Sequence, residues 1–374
     1  MQAERLISAH PSSAKTLRRT GRGATENPVN RFEKIQIEPD IDQSSFHSDP
    51  TGWNPDGAVL PRTTFYRDHS QTIIARNDSP DVGFTASLNP YRGCEHGCIY
   101  CYARPTHEFL GFSAGLDFES KIMVKDDAPE LLRKELMSPK WQPQVIFMSG
   151  VTDCYQPVEA KLNLTRRCLE VLAEFRNPVF IVTKNRLVTR DIDLLSELAR
   201  FNAAMVWLSI TTLDPELRKV MEPRTSPPAA RLAAIRELSQ AGIPAGVNVA
   251  PIIPGLTDHE MPAILRSAAD AGATAAGYTL VRLPYGVAPL FEKWLETHFP
   301  DRKDKVLNRL RSIRGGKLNE SQWGKRMHGE GIFADQIKKV FEVARRKAGI
   351  PDDVSELSAA AFRRPPGAQL PLFS

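Results

Sequence analysis

One stretch constrains this chain more than any other: Leu88 to Arg104, which reads LNPYRGCEHGCIYCYAR. Cys94, Cys98 and Cys101 stand in a C-x3-C-x2-C spacing, with glycines at Gly93 and Gly97. That spacing folds a loop back on itself so that three thiolates converge on one side. Three is one short of the four ligands of a closed tetrahedral zinc site. The set suits a [4Fe–4S] cube held through three of its irons, with the fourth iron open to another ligand. Tyr100 and Tyr102 flank the last cysteine and place aromatic surface beside it. The competing reading is a zinc loop with His96, His107 or Cys154 as fourth ligand, although no second C-x2-C pair exists to close such a site. A disulfide framework fits less well, because cysteines this close in a long chain without a secretion signal read as metal ligands.

C-x3-C-x2-C with an aromatic residue just before the third cysteine resembles the signature of the radical S-adenosylmethionine (SAM) enzymes. In that family SAM chelates the open iron through its amino and carboxylate groups. One electron from the cluster cleaves it to methionine and a 5′-deoxyadenosyl radical, which abstracts hydrogen from a substrate. The cofactor carries the hard chemistry; the protein supplies position, electrostatics and exclusion of water. The resemblance implies that Cys94, Cys98 and Cys101 ligate the cluster and that Tyr100 lies along the adenine of SAM. It also implies a one-electron reductant of the flavodoxin or ferredoxin type. The runs GCEHGCIYCYARPTHEFLGFSAGLDFE, SGVTDCYQPVE and APIIPGLTD resemble radical SAM proteins related to spore photoproduct lyase, which reverses a thymine dimer lesion in DNA. The likeness covers roughly residues 80–300, and fold and cofactor alone do not fix substrate.

From Gly83 onward, short segments rich in β-formers alternate with helical patterns. Strands are expected at Phe84–Leu88, Val145–Met148, Val179–Val182, Met205–Ile210, Gly246–Ile253 and Ala275–Leu283. Amphipathic helices are expected at Ala128–Met137, Glu159–Phe175, Asp191–Arg200, Pro228–Ala241 and His259–Ala271. Such alternation implies βα units and a parallel sheet. The resemblance implies an α/β fold, a partial (β/α)6 TIM-like barrel, in which chemistry sits at the carboxyl ends of the strands.

That rule ranks the remaining candidates. After the second strand, Ser149-Gly150-Val151-Thr152-Asp153-Cys154 forms a polar turn whose backbone and hydroxyls could receive the SAM ammonium. It stands where the family has its glycine-rich amine-binding motif, but without the glutamate common there; an ordinary βα loop is the alternative. Cys154, at the expected barrel mouth, could donate a hydrogen atom to a substrate radical or be a small core hydrophobe. Cys168, inside a helix, reads as core. Lys184 at the third strand's end can meet a carboxylate, and Arg231 is a further candidate for that role. Ser209 is small and polar where a cofactor passes, and Asn248 could bond a ribose.

The chain of 374 residues can bury a large core, and 41% hydrophobic with 25% charged residues is ordinary for a soluble globular protein. No apolar run approaches the roughly 18 residues of a membrane span. Five cysteines, three of them in the motif, point to a reducing compartment, the cytoplasm. Residues 1–80 read as an irregular extension, basic around Lys15, Arg18, Arg19 and Arg22, which Trp53, Phe65 and Tyr66 could dock on the core barrel of 81–300.

Residues 301–360 read as basic helices, and 301–374 carry 16 basic against 9 acidic residues. There Arg302, Lys303, Lys305, Arg309, Arg311 and Arg314 would face outward and could touch phosphates, or merely solvate a helical cap. The tail of 361–374 ends in Gln369-Leu370-Pro371-Leu372-Phe373, which resembles the motif by which bacterial replication and repair proteins bind the sliding clamp. Three readings follow: radical SAM chemistry on nucleic acid, the same chemistry on a protein or small molecule, or a zinc-stabilised nucleic-acid-binding module.

Overall fold

The computed structural model describes residues 21–32 and 62–365. Trp53 and the clamp-like Gln369, Leu370, Leu372 and Phe373 lie outside the described residues. The described residues hold ten strands: β1 (Thr64–Arg67), β2 (Ile74–Arg76), β3 (Ala86–Leu88), β4 (Tyr91–Arg92), β5 (Lys121–Val124), β6 (Ile146–Met148), β7 (Val179–Thr183), β8 (Ala204–Ser209), β9 (Ala245–Ile252) and β10 (Ala275–Leu280). Seven of them form one sheet in the order β10-β9-β8-β7-β6-β3-β2. Its six members from β3 to β10 are all parallel and are the six expected strands, while β2 adds an antiparallel edge. The sheet ends at β2 and β10 without closing, which makes it a partial barrel.

Helices α1 (Leu116–Ser120), α2 (Ala128–Met137), α3 (Glu159–Leu162), α4 (Leu164–Phe175), α5 (Ile192–Ala199), α6 (Pro215–Met221), α7 (Pro228–Gln240) and α8 (Met261–Asp270) connect the strands. In α4, Leu164, Cys168, Val171, Leu172 and Phe175 recur at helical spacing and are buried, all but Leu164 in the main core, as expected of Cys168. The expected single helix over 159–175 is broken at Asn163, whose left-handed backbone (φ 54°) ends α3 and starts α4. Asparagine tolerates that conformation better than most residues, so no glycine marks the break. Asp214 caps α6 by accepting from the amides of Glu216 (2.8 Å) and Leu217 (3.3 Å).

Alternation along the strands separates two faces. Ile146, Met148, Val179, Ile181, Val206 and Leu208 are buried in one core with the helices. On the opposite face Phe84 stacks on Phe147 (4.1 Å between centroids), Phe147 meets Phe180 edge-on (5.2 Å), and Phe180 meets Trp207 edge-on (5.4 Å). The row ends at Gly246 and Gly277, whose missing side chains leave room for the Trp207 indole.

Two short strands fall within the N-terminal stretch expected to be irregular. Residues 64–67 pair in parallel with β5, which also pairs with β4, and 74–76 join the main sheet. Tyr66 packs its ring 5.9 Å from Phe112, and Phe65 remains 47% exposed.

At the other end α9 (Val287–His298), α10 (Pro300–Ser312) and α11 (Ile332–Lys347) complete the fold. Arg314, expected to face outward, is fully buried. It donates to the carbonyls of Leu280 (3.0 Å), Val281 (2.9 Å), Lys325 (3.3 Å) and Arg326 (2.7 Å). Arg326 then pairs with Asp81 in the β2–β3 turn, so the segment 313–330 joins the two edges of the open sheet. Arg309 pairs with Asp258 (3.2 Å) and Lys303 with Glu296 (2.7 Å), which leaves Arg302 and Lys305 exposed on α10. No helix among the described residues is long and apolar enough to cross a membrane.

Candidate active site

The three-cysteine loop leaves the carboxyl end of β3 through the short strand β4. Gly97 turns it in a left-handed conformation (φ 67°), and a Cβ there would stand 2.6 Å from the Glu119 carboxylate. Only glycine satisfies both demands. The Cys94 amide donates to the carbonyl of Phe118 (2.9 Å), the Ile99 amide to Met221 (3.1 Å) and the Cys101 amide to Cys98 (3.2 Å). Cys94 and Cys98 are buried, Cys101 is half-buried, and all three thiols are free. Burial pushes the Cys94 thiol up, as do Asp153 and its two partner cysteines, while the Asp153 backbone N–H bonds it and favours the thiolate.

This donor set fits an iron–sulfur cluster, whose separate irons each take one thiolate. Among the described residues no three His, Cys, Asp or Glu side chains converge as a single metal ion requires. The alternative fourth ligands are committed elsewhere. His96 Nδ1 pairs with Asp153 (3.3 Å), and His107 Nε2 meets the Lys121 carbonyl (2.8 Å). Cys154, expected at the mouth, is fully buried in the main core, with its amide on Ser149 Oγ (3.0 Å). Its position is that of a packed small hydrophobe, because the turn folds its side chain inward.

Two acidic residues brace the loop. The Asp153 carboxylate accepts from Thr183 Oγ1 (2.8 Å) and the Lys184 amide (2.9 Å) as well as facing His96. Burial works against its charge, but His96 and these donors hold it at about 2. Glu222, at the carboxyl end of α6, is fully buried. It accepts from Tyr100 Oη, Arg231 and Thr211 Oγ1 (2.8 Å). Burial opposes its ionisation too, yet Arg231, Lys184 and the hydrogen bonds hold it at about 2.

The carboxylate that Arg231 meets is therefore the chain's own Glu222. Its remaining donors serve the carbonyls of Ser226 (2.8 Å) and Ser209 (2.8 Å) and the Thr225 hydroxyl (2.6 Å). Tyr100 stands as a strut between the loop and β8, its hydroxyl 3.2 Å from Thr211 Oγ1.

The other candidates line the carboxyl edge. Ser149 is left-handed (φ 74°), and the carbonyl of Gly150 accepts from Tyr102 Oη (2.8 Å). The Thr152 hydroxyl donates to the Tyr91 carbonyl (2.7 Å). Lys184 Nζ stands 5.9 Å from the Tyr100 ring centre, with no carboxylate in salt-bridge range among the described residues although its charge favours the Glu222 carboxylate. Ser209 is buried, and Asn248 is half-buried on β9, opposite Gly277 of β10. Arg282, just past β10, went unnoticed in the sequence. Its guanidinium lies 4.8 Å over the Tyr102 ring, half-buried, with no carboxylate in salt-bridge range among the described residues although its charge acts on Asp81. Nothing in LVRLPYG distinguishes it from a solvated arginine.

His107 behind the loop sets an acid limit. Burial lowers its pKa from 6.5 to about 4, and its Nδ1 has no partner among the described residues. The folded state thus holds the imidazole neutral where the unfolded chain protonates it. This contribution is complete above about 6.5 and is lost as pH falls toward about 4. Thermal unfolding followed across that window should show His107→Gln losing less stability on acidification than the unaltered chain.

Residues 88–268 match the Radical SAM superfamily model. An uncharacterized protein of Mycobacterium tuberculosis strain H37Rv is 37% identical over 220 residues, which is 58% of this chain and 65% of that protein. The match thus spans just under two thirds of the mycobacterial relative. The radical SAM Nalpha-GlyT isomerase of Pseudomonas phage M6 is 25% identical over 253 residues, 67% of this chain and 50% of that protein. A solved structure of a spore photoproduct lyase variant shares the fold with a TM-score of 0.50 at 19% identity, covering 76% of this chain and 77% of that one. Spore photoproduct lyase complexed with a dinucleoside spore photoproduct gives 0.50 at 18% identity over the same shares. With the three-cysteine loop at its start, the stretch 88–268 belongs to the radical SAM superfamily.

Proposed function

We propose that this chain is a radical SAM enzyme acting on nucleic acid, of the kind that repairs or rearranges a base. The observation that carries the substrate class is the Arg282 guanidinium lying over the exposed Tyr102 ring at the carboxyl edge, with no carboxylate in salt-bridge range among the described residues. Aromatic planes stack bases, and free guanidinium groups take phosphate oxygens in a fork. Two similar proteins, by their names, handle a dinucleoside spore photoproduct and a GlyT isomerisation.

Cys94, Cys98 and Cys101 would hold the [4Fe–4S] cluster, which with SAM supplies an electron and a hydrogen-abstracting radical. The chain's own groups orient the reactants. Ser149, Gly150 and Thr152 would receive the SAM ammonium, Lys184 its carboxylate, and Ser209 and Asn248 its nucleoside. Tyr100, fixed by Glu222 and Thr211, would lie beside the adenine. Arg282 takes a phosphate of the substrate.

Binding of duplex oligonucleotides at several salt concentrations tests the substrate class. The expected result is affinity that falls steeply with salt, and for Arg282→Ala a slope shallower by about one. Undiminished SAM cleavage with no salt-dependent DNA binding would overturn it in favour of a protein or small-molecule substrate.

A further inference from the structure

We propose that residues 22–31 are a strap that seals the back of the cysteine loop and, through Glu119 and Arg104, positions the cluster; this rests on the cluster reading above. The strap and loop touch backbone to backbone. A Cβ on Gly23 would overlap the carbonyl oxygen of Gly97, between the first two cysteines. The amides of Gly23 and Ala24 donate to the two oxygens of Glu119 (3.0 and 2.8 Å), which is fully buried on α1.

Glu119 also pairs with Arg104, fully buried as well. Arg104 then donates to the carbonyls of Cys98 (3.0 Å) and Gly97 (3.2 Å). One carboxylate thus links the strap to the two carbonyls that set the direction of Cys98. The strap's far end is fastened separately: Asn30 donates to the carbonyl of Glu108 (2.9 Å), and Arg31 pairs with its carboxylate (2.6 Å).

A peptide that only filled space would not donate two amides to the buried carboxylate whose partner, Arg104, holds the cysteine-bearing backbone. Hydrogen bonding near the sulfurs and solvent access both tune an iron–sulfur centre. Lifting the strap admits water and takes two donors from Glu119, which loosens the Arg104 hold on the Cys98 carbonyl without removing a ligand. Arg104 and Glu119 are therefore positioning residues, and the strap is their lid.

Two variants test this on the full chain after anaerobic reconstitution with iron and sulfide. Gly23→Val forces the strap off Gly97, and Asn30→Ala with Arg31→Ala releases its far end, remote from the ligands. Both should load iron as the unaltered chain does. Their clusters should bleach several-fold faster in air, and the reduced clusters should give shifted electron paramagnetic resonance g values. Unchanged bleaching and g values in both variants, with only a lowered unfolding temperature, would overturn the proposal and leave a structural brace. If the unaltered chain takes up no iron, the cluster reading itself falls, and the strap's role with it.

Discussion

Replacing Cys94, Cys98 or Cys101 with Ala removes bound iron and all SAM cleavage, measured as 5′-deoxyadenosine formed after reduction. The loop offers no substitute donor. His96 is held by Asp153, and His107 faces the Lys121 carbonyl from behind Gly93. On the cluster reading, a cube held at only three corners would not survive the loss of one. Cys154→Ala gives the contrast. Its thiol sits in the core, so that variant keeps its iron and loses only packing. Iron loss in Cys154→Ala, with retention in Cys94→Ala, would reassign the ligand set.

Glu222→Ala destabilises the fold by about 3–5 kcal/mol, the range for breaking a buried ion pair from one side. Both partners are fully buried, so removing the carboxylate strands the Arg231 charge. Tyr100 and Thr211 lose the same acceptor, which also loosens the loop. Replacing both members, Glu222→Leu with Arg231→Leu, should cost less than Glu222→Ala alone, since no charge is then left unpaired. Urea unfolding midpoints of the single and double variants decide this. A single variant as stable as the parent would show that water reaches Arg231.

The βα alternation made the main sheet legible. Each of its six parallel strands buries one apolar face under helices, so the pattern sits in contiguous residues. The small sheet of β1, β5 and β4 was not, because strands of two to four residues pair across distant stretches and carry no period. The three-cysteine motif was legible because its spacing is local. Arg104, Glu119 and Glu222 were not, since a charged residue in sequence reads as solvated and becomes buried only when tertiary partners enclose it. Arg231 shows the same gap from the other side. An arginine suited to a carboxylate is visible in the sequence, but nothing local marks Glu222, nine residues earlier, as its partner. Arg314 likewise looked like part of a basic surface and is instead the peg between β10 and the closing segment.

The row of rings across the sheet ends where Trp207 leans over Gly246 and Gly277, and that ending makes three positions one volume. A side chain at Gly246 would occupy the space of the indole, and one at Gly277 would come within 2.7 Å of it. None of the three can change size alone. A relative with alanine or valine at either glycine site must carry a smaller residue at the tryptophan site. The width of this face is thus inherited as a set, so reshaping it requires coordinated substitution on three neighbouring strands.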